Sequence, residues 1–423
     1  ALMLTGRVVR LDEAQKDFSG VLGRLVHRSG EPVIRTAVTQ AMRILGRQFV
    51  MGRNIKEAIE RARSDEAKGY RYSYDMLGEA ARTMADAERY FESYRKAIAA
   101  IGKAGKGKSV ADSPGISVKL SALHPRYEFS QRDRVMKELM PRLLQLAVEA
   151  KELDIGLTVD AEEVDRLDLS LDVIEAVSSS SEIKGWHGYG LAIQGYQKRA
   201  RPLIDWLADM AKRHKRQLMV RLVKGAYWDT EIKRSQERGL PGYPVFTRKV
   251  NTDVSYLACA RALLADPKAF YPQFATHNAH SVASVLEMAG NHAGFEFQRL
   301  HGMGEALYAQ VVGKDKLDIP TRIYAPVGSH EDLLAYLVRR LLENGANSSF
   351  VNRIQDEKLP VDEIVADPLV KVRNLSRIPH PKIPLPVDLY GEERPNSAGM
   401  DVSNPVVVSD FAERMATVSQ TLW

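Results

Sequence analysis

The chain of 423 residues is 44% hydrophobic and 27% charged, which is typical of a folded protein with enough apolar material for a large core. Its net charge of +6 is mild and spread along the sequence, so charge alone does not indicate a nucleic-acid-binding protein. The single cysteine, Cys259, excludes a disulfide framework and a thiolate metal cluster. No apolar run reaches the ~18 residues of a membrane-spanning helix, and no signal peptide is recognisable. Because the first residue is Ala1, we expect a processed protein or a fragment.

Residues 1–108 show the residue spacing of helices. The pattern is helical over Ala37–Phe49, Asn54–Lys68 and Tyr74–Ile101. We find no strand pattern in this block. The sequence therefore predicts a helical segment over residues 1–108 that precedes the rest of the fold.

The stretch Gly102–Ser109 reads GKAGKGKS and matches the phosphate-loop pattern G-x-x-x-x-G-K-[ST]. That pattern binds phosphate when a strand precedes it and a helix begins after it. Here a predicted helix precedes the stretch, and Pro114–Leu120 has the pattern of a strand. We therefore interpret it as a basic linker and not as a nucleotide site.

From Pro114 onward, short apolar strand patterns alternate with helical patterns such as Val135–Leu153 and Lys198–His214. The predicted strands are Ile116–Leu120, Leu157–Asp160, Gly190–Gln194, Leu218–Val223, Gln273–Thr276, Phe295–Arg299 and Arg322–Pro326. A candidate for the eighth strand is Ser348–Asn352. Repeated alternation predicts a parallel sheet with crossover helices, and a (β/α)8 TIM barrel is its economical closure.

The main alternative to the barrel is an open doubly wound sheet. No G-x-G-x-x-G follows any predicted strand, which weakens the dinucleotide-binding form of that alternative. We place the barrel over residues 109–375. The sequence becomes rich in loop-forming residues after about residue 355, and we interpret residues 376–423 as a linker and tail.

Polar side chains follow the predicted strands at their carboxyl ends, where barrel enzymes hold their active sites. In chain order they are Lys119, Asp160, Gln194, Arg221, Lys224, Thr276, His277, Gln298, Arg299 and Tyr324. One such residue is usually solvated, but a set on consecutive strands indicates a shared cavity. His277 and His280 have the spacing of a metal-binding pair, yet no third ligand stands out. We therefore predict no metal site.

The stretch Glu331–Phe350 is predicted to form a helix with two unlike faces. One face is an apolar stripe made of Leu334, Leu337, Val338, Leu341 and Leu342. The opposite face gathers Tyr336, Arg339, Arg340 and Glu343. Taken alone, this is most simply a salt-bridged surface helix. Adjacent arginines also suit the binding of a small carboxylate or phosphate, and the strand-end cavity gives the helix a site to cover.

The predicted cavity contains more cations than carboxylates. Its cations are Lys119, Arg221, Lys224, Arg339 and Arg340, against the carboxylates Asp160 and Glu343. This excess indicates an anionic ligand. No serine or cysteine nucleophile with a matching base stands out, which argues against acyl transfer, and the missing ligand cluster argues against metal-assisted hydrolysis. The remaining class is chemistry carried by a bound organic cofactor.

Eight segments of the chain closely resemble the proline dehydrogenase domain of the bacterial bifunctional proline-utilisation flavoproteins, the PutA family. They are SVKLSAL (117–123), LTVDAEE (157–163), GLAIQGYQKRA (190–200), MVRLVKGAYWD (219–229), FATHNAHS (274–281), FQRLHGMGE (297–305), RIYAPVG (322–328) and YLVRRLLENGANSSF (336–350). The segments occur in the family's order, and the resemblance covers roughly residues 1–400.

The resemblance implies a distorted (β/α)8 barrel that holds FAD at the carboxyl ends of its strands, with the last helix over the mouth. The implied substrate-binding residues are Lys119, Arg339 and Arg340 for the proline carboxylate, with Tyr324, Tyr336 and Leu300 as pocket walls. Asp160 would order the catalytic site, and Arg221 would lie near flavin N5. The other implied FAD-binding residues are Ala161, Gln194, Lys224, Gly225, Ala226, Trp228, Thr276, His277 and Glu343.

The implied reaction is the oxidation of L-proline to 1-pyrroline-5-carboxylate, by hydride transfer to flavin N5, with electrons passed on to quinone. The implied location is cytoplasmic, and peripheral contact with the inner membrane face is left open for the intact protein. Some family members begin with a ribbon-helix-helix DNA-binding module, and an aldehyde dehydrogenase follows their linker. We find neither here, so we expect an excised dehydrogenase unit that binds no nucleic acid.

Two other functions remain open. The first is a flavin-dependent barrel oxidoreductase that acts on a different small amino or imino acid. The second is a nucleic-acid or scaffold module, suggested by the basic excess, which would bind DNA in a salt-dependent manner and without flavin.

Overall fold

A computed structural model describes residues 49–105, 107–292, 294–328, 336–340 and 360–419. Eight parallel strands close into a barrel in which every strand pairs with its neighbour in sequence and the last pairs with the first. The strands are β1 Tyr70–Asp75, β2 Gly115–Val118, β3 Leu157–Val159, β4 Tyr189–Gln194, β5 Leu218–Val223, β6 Phe270–Ala275, β7 Glu296–Leu300 and β8 Thr321–Pro326. The predicted (β/α)8 barrel is confirmed.

Helices connect the strands and cover the outside of the barrel. The helices of eight or more residues are α1 Ile55–Glu66, α2 Met84–Gly105, α4 Met140–Glu152, α5 Leu167–Ser179, α6 Ala200–Arg213, α7 Trp228–Glu237, α8 Lys249–Leu264, α9 Ala279–Ala289 and α13 Pro405–Ser419. Shorter helices are α3 Arg132–Glu138, α10 Glu305–Tyr308, α11 Val361–Ile364 and α12 Pro368–Arg373. Residues 336–340, which follow β8, are also helical. No helix in these described ranges is long and apolar enough to cross a membrane.

The prediction that residues 1–108 contain no strand is wrong at β1. The stretch Tyr70–Asp75 pairs with β2 on one side and with β8 on the other, so it closes the barrel. Tyr72 and Tyr74 are fully buried, whereas Ser73 and Asp75 face the strand-end cluster of the barrel. This alternation of aromatic and polar residues is a strand signal that the neighbouring helical patterns obscured. The candidate strand Ser348–Asn352 lies outside the described residues.

The remaining strand predictions are confirmed to within a few residues. The strands are short and buried on both faces, as in parallel barrels whose helices cover the outside. Large buried side chains fill the space between barrel and helices; the rings of Phe274, Phe295 and Phe297 contact one another, and Tyr308 contacts Phe297. This packing holds the strand ends in fixed positions, and with them the polar residues that follow each strand.

The interpretation of Gly102–Ser109 as a linker is only partly correct, because Gly102–Gly105 form the end of helix α2. Helix α2 runs up to Gly105, and the next regular element is β2, which begins at Gly115. The helix therefore extends into the first half of the glycine-rich stretch, and a strand follows the stretch. This is the reverse of the order that allows backbone N–H groups to hold a phosphate.

Candidate active site

Asp160 is the centre of a polar cluster at the carboxyl ends of the strands. It follows β3 directly, and its side chain is only 10% exposed. Arg221 of β5 donates to its Oδ1 over 2.6 Å, whereas Lys119 lies 3.0 Å and the Tyr324 hydroxyl 2.7 Å from its Oδ2. Four predicted site residues from four strands thus meet at one carboxylate, as the strand-end pattern predicted.

Asp75 is a second carboxylate in the same cluster, and the sequence analysis missed it. Its Oδ2 lies 2.9 Å from Lys119 Nζ and 2.6 Å from the Tyr324 hydroxyl, while its Oδ1 accepts from the backbone N–H of Leu77. Asp75 was missed because β1 was missed. Its position as the last residue of an alternating strand would have identified it.

Burial and charge act in opposite directions on this cluster. Burial opposes ionisation of Asp160, but the cations Lys119 and Arg221 outweigh it and hold the Asp160 pKa below the usual value. Burial likewise opposes the charge on Lys119, yet Asp75 and the neighbouring groups hold its pKa well above the usual value. Asp160 and Lys119 are therefore both charged at neutral pH, and each depends on the other group for that charge.

Arg221 is held in one orientation by a chain of hydrogen bonds that runs down the barrel. Its Nε donates to Gln298 over 2.7 Å, and its Nη2 donates to Ser117 over 2.9 Å. The Gln298 amide donates in turn to Glu296 over 2.9 Å. The guanidinium also lies over the Tyr324 ring, 5.0 Å from its centroid. These contacts leave the guanidinium little rotational freedom.

The mouth of the barrel is lined by an apolar cluster that includes three predicted substrate-pocket residues. Tyr336 and Leu337 pack with Phe49, Val50, Leu77 and Met303, and Leu300 and Tyr324 lie against this group. The structure therefore brings Leu300, Tyr324 and Tyr336 together beside the Asp160 cluster. Their assignment to a substrate pocket remains a prediction.

Arg339 faces inward but is already paired. Its guanidinium donates to both carboxylate oxygens of Glu79, over 2.9 and 2.7 Å, and lies over the Tyr227 ring at 5.5 Å. Burial opposes the charge on Glu79, but Arg339 and Lys119 hold the Glu79 pKa below its usual value. Neither Glu79 nor Tyr227 was predicted. Both lie in loops after strand ends, and a contact spanning 260 residues leaves no local sequence signal.

The predicted excess of cations in this cavity is wrong, because several of the predicted cations already form ion pairs. Lys119 pairs with Asp75 and Asp160, Arg221 pairs with Asp160, and Arg339 pairs with Glu79. The missed acids Asp75 and Glu79 account for the difference.

The other residues of the 336–340 helix only partly follow the predicted faces. Arg340 is buried, with its guanidinium 5.2 Å from the centroid of the Tyr336 ring. Val338, predicted in the buried stripe, is 44% exposed, so that prediction is wrong. Glu343, predicted to bind the cofactor, lies outside the described residues.

The predicted cofactor residues after β4 and β5 form one connected group. The Gln194 side-chain amide donates to the Glu162 carbonyl over 2.8 Å, and its oxygen lies 3.4 Å from the backbone nitrogen of Ala226. Ala161 lies between Asp160 and this group in the loop after β3. Lys224 forms an ion pair with Asp253 of α8. Burial lowers the Lys224 pKa, an effect that Asp253 opposes.

Gly225 has a backbone conformation that suits glycine, and the adjacent Tyr196 ring leaves no room for a larger side chain. Its φ is +133°, and a Cβ at this position would lie 2.6 Å from the Tyr196 ring. The chain then enters α7 at Trp228, whose indole N–H donates to the Phe246 carbonyl over 2.8 Å. The loop Lys224–Trp228 is thus packed closely against Tyr196 on one side.

Thr276 and His277 follow β6, as predicted. The Thr276 hydroxyl accepts from the Asn278 backbone N–H, and the Thr276 carbonyl accepts from the Tyr308 hydroxyl over 2.8 Å. The His277 Nε2 accepts from the backbone N–H of Leu300 over 3.1 Å. This bond links the predicted cofactor-binding residues to the apolar cluster at the mouth of the barrel. No group of three or more His, Cys, Asp or Glu side chains with metal-binding geometry occurs in the described part of the chain.

Glu231 is a buried acid beside this region, and it supports a pH-dependent stability prediction. Burial raises its pKa to about 7, although the backbone N–H of Val164 donates to it over 2.8 Å. The folded state therefore resists an ionisation that the unfolded chain undergoes near pH 4.5, so stability is lost as pH rises from about 4.5 to 7. Glu231→Gln keeps the Val164 contact, and we expect it to raise the free energy of unfolding by about 1–3 kcal/mol at pH 8.

Urea unfolding at pH 8 and at pH 5 measures this effect. At pH 5 the gain should fall to roughly a quarter, because this pH lies only about half a unit above the pKa of the group in the unfolded chain. The exposed Glu237 on the same helix gives the matched control Glu237→Gln, which should change stability little at either pH. An equal gain for Glu231→Gln at both pH values would contradict the explanation.

The comparisons with known proteins agree on one family. A family model described as proline dehydrogenase matches residues 58–353. The bifunctional protein PutA of Salmonella typhimurium is 57% identical over 100% of this chain, and so is that of Escherichia coli. The alignments cover 33% and 32% of those proteins, so the chain spans about a third of the length of these relatives.

Solved structures agree with this result. A crystal structure of a bifunctional proline utilization A protein matches 95% of this chain and 41% of its own, with a TM-score of 0.85 and 57% identity. A mutant of the Bradyrhizobium japonicum protein matches 92% of this chain and 40% of its own, with a TM-score of 0.84 and 59% identity.

A second family model, described as the DNA-binding domain of proline dehydrogenase, matches residues 1–49. This match contradicts the statement that the chain contains nothing resembling a DNA-binding module. It also removes the basis for expecting no nucleic-acid partner. Residues 1–48 lie outside the described ranges.

Proposed function

We propose that this chain, which belongs to the proline dehydrogenase family, catalyses the FAD-dependent oxidation of L-proline to 1-pyrroline-5-carboxylate and passes the electrons on to quinone. The observation that carries the proposal is the meeting of Lys119, Asp160, Arg221 and Tyr324 at one buried carboxylate, at the strand ends of the barrel. When bound, FAD would supply the hydride acceptor for this reaction.

The residues beyond β4 and β5 fit a flavin dinucleotide chemically. Lys224 would bring a cation to a diphosphate while it stays paired with Asp253. The loop Lys224–Trp228 leads directly into the N-terminus of α7, where backbone N–H groups favour an anion. Gly225 allows the backbone to come close to a ligand. With Thr276 and His277, which follow the neighbouring strand β6, these residues would hold the cofactor along the rim of the barrel.

Asp160 and Arg221 would act as an ion pair that positions the reaction. Asp160 keeps Lys119, Tyr324 and the Arg221 guanidinium in one arrangement, and the Gln298 contact fixes the guanidinium plane. A guanidinium held in this way can stabilise negative charge that develops beside it, without reorganising during the reaction. Asp160 itself stays ionised and transfers no proton.

The substrate carboxylate would be held at the mouth by Arg339 and Arg340. Arg339 binds Glu79 through two parallel hydrogen bonds, which is the geometry that a proline carboxylate would also adopt. A substrate carboxylate bound at Arg339 would therefore replace or share the contact with Glu79. Leu300 and Tyr336 would bury the apolar face of the pyrrolidine ring beside it.

Replacing Arg340 tests the carboxylate clamp. Arg340→Met keeps the length of the buried side chain but removes its charge, and loss of a charge-assisted contact is worth about 1.5–3 kcal/mol. We expect KM for L-proline to rise roughly 10- to 100-fold while the FAD content is retained. Steady-state kinetics with an artificial electron acceptor measure this change. Arg373→Met, at an exposed position in α12, is the control, and an unchanged KM in Arg340→Met would remove Arg340 from the clamp.

The alternative substrate class is another small amino or imino acid. All such substrates share the carboxylate, so Arg339 and Arg340 do not discriminate between them, and the apolar walls must do so. Turnover of a panel containing L-proline, D-proline, pipecolate and acyclic amino acids separates the two functions. The proposal expects the highest kcat/KM for L-proline. A higher value for any other member would transfer the assignment to that substrate.

A further inference from the structure

The segment Arg377–Gly399, here called the strap, lies against the connection between β5 and β6 in several places. The main attachment is Arg248, the residue before α8. Its guanidinium donates to the backbone carbonyls of Arg377, Ile378 and Pro379 over 3.1 to 3.2 Å. The backbone N–H of His380 donates to the Thr247 hydroxyl over 2.9 Å. Residues first interpreted as a linker are thus bonded to the barrel.

The first turn of α8 connects the strap to the loop Lys224–Trp228. Asn251 donates to the Ile378 carbonyl on the strap side. Two residues later in the same turn, Asp253 forms ion pairs with Lys224 and Lys249. One helical turn therefore bonds to the strap through Arg248 and Asn251, and to the predicted cofactor loop through Asp253.

A small apolar cluster forms a second connection. Tyr196, Ile232, Tyr243 and Val245 are buried together, and both Trp228 of the loop and Ile383 of the strap pack against them. The Tyr243 hydroxyl donates to the Pro384 carbonyl over 2.6 Å. The same Tyr196 ring lies against Gly225, so the strap, the cluster and the loop form one continuous packed layer.

The far end of the strap is attached by backbone contact. The N–H of Gly399 donates to the carbonyl of Gly239 over 3.0 Å, just beyond α7. A Cβ on Gly399 would lie 1.7 Å from the Arg238 carbonyl oxygen, so no side chain fits without separating the two segments. Asn396 adds a hydrogen bond to the Gln236 carbonyl at 2.9 Å.

We propose that the strap holds the loop Lys224–Trp228 in its cofactor-binding shape, and that Arg248 is the positioning residue that fastens it. Because the strap bonds to the start of α8 and packs on the Tyr196 cluster, it restrains the loop through both of these neighbours. The inference rests on the proposed binding of FAD. Pre-ordering a loop raises affinity because less conformational freedom is lost on binding.

Arg248→Ala in the full chain tests the proposal. We expect the FAD dissociation constant of the apoprotein, measured by quenching of flavin fluorescence, to rise on the order of tenfold. KM for proline in the FAD-saturated enzyme should not change, since the mouth of the barrel is untouched. Hydrogen exchange of the amides in residues 224–228 of the apoprotein should become faster. Arg248→Lys, which can replace part of the contact, should give intermediate values.

Arg377→Ala is the matched control, because the contact uses the Arg377 backbone carbonyl, which this substitution leaves in place. Gly399→Ala is a second variant, which disrupts the far attachment of the strap to Arg238 and Gly239, and it should weaken FAD binding in the same direction as Arg248→Ala. If Arg248→Ala fails to fold, Gly399→Ala decides the question alone.

Wild-type FAD affinity and loop exchange in both variants would overturn the proposal. So would equal losses in Arg248→Ala and Arg377→Ala. A wild-type chain that binds no FAD would instead overturn the proposed function and the flavin part of this inference. The exchange experiment on apoprotein would then still show whether the strap restrains the loop.

Discussion

Asp160→Asn is expected to lower kcat/KM for L-proline roughly 100- to 1,000-fold, the loss seen when a preorganised electrostatic contact is removed from an active site. The asparagine side chain has nearly the same shape but no charge. Only one of its two terminal atoms can accept a hydrogen bond, whereas Asp160 accepts on both oxygens, from Arg221 on one and from Lys119 and Tyr324 on the other. At least one cation would lose its partner, and the cluster would rearrange.

Steady-state kinetics of the FAD-loaded protein measure this loss. The matched control is Asp168→Asn, which removes a partly exposed carboxylate paired with Arg199 on the outside of the barrel. We expect that control to stay within about twofold of the wild type, since exposed ion pairs contribute about 1 kcal/mol or less. An Asp160→Asn enzyme with similar kcat/KM to the wild type would show that the cluster has no part in the reaction.

Arg322→Met is expected to lower the free energy of unfolding by about 3–5 kcal/mol, because it leaves a fully buried carboxylate without its main counterion. Arg322 donates to Glu296 over 2.6 and 3.0 Å. It also donates to three backbone carbonyls, those of Tyr72, Ser113 and Ala111. Burial opposes ionisation of Glu296, but Arg322 outweighs it and holds the Glu296 pKa below its usual value. The substitution therefore leaves Glu296 with a longer 3.4 Å ion pair to Arg71 in place of its main one, and it leaves several backbone acceptors unsatisfied inside the barrel.

Urea unfolding at pH 7 measures the change. Arg201→Met removes an exposed ion pair with Asp205 and should cost about 0.5 kcal/mol or less. The double variant Arg322→Met with Glu296→Leu removes both charges. It should lose less stability than the sum of the two single variants, because no charge is left buried alone. Strict additivity would show that the two side chains act independently.

The sequence was sufficient to predict the architecture because parallel barrels repeat one unit. Each strand pattern is short and apolar, each is followed by a helical pattern, and the carboxyl ends of all strands lie at the same edge. Lys119, Asp160, Arg221 and Tyr324 could therefore be assigned to one cluster without any knowledge of distances. The same rule failed for Asp75 only because its strand was not recognised between two helical patterns.

Long-range partners could not be predicted for a physical reason. Glu79 and Tyr227 lie in irregular loops, and their contacts with Arg339 depend on how those loops fold over the barrel. No residue spacing records such a contact. The sequence also did not determine which face of the 336–340 helix is buried. Its apolar pattern placed Val338 in the buried stripe, whereas tertiary packing buries Leu337 and Arg340 and exposes Val338. The pairing of the cations with carboxylates was the main feature that could not be predicted from the sequence.

Anaerobic addition of L-proline to the purified, FAD-reconstituted chain is the most direct test of the proposed function. We expect the oxidised flavin absorption bands to bleach on adding L-proline. Bleaching should be much slower in Asp160→Asn, and the control Asp168→Asn should bleach like the wild type. A chain that binds no FAD, or one whose bound flavin stays oxidised in the presence of saturating L-proline, would contradict the proposed function.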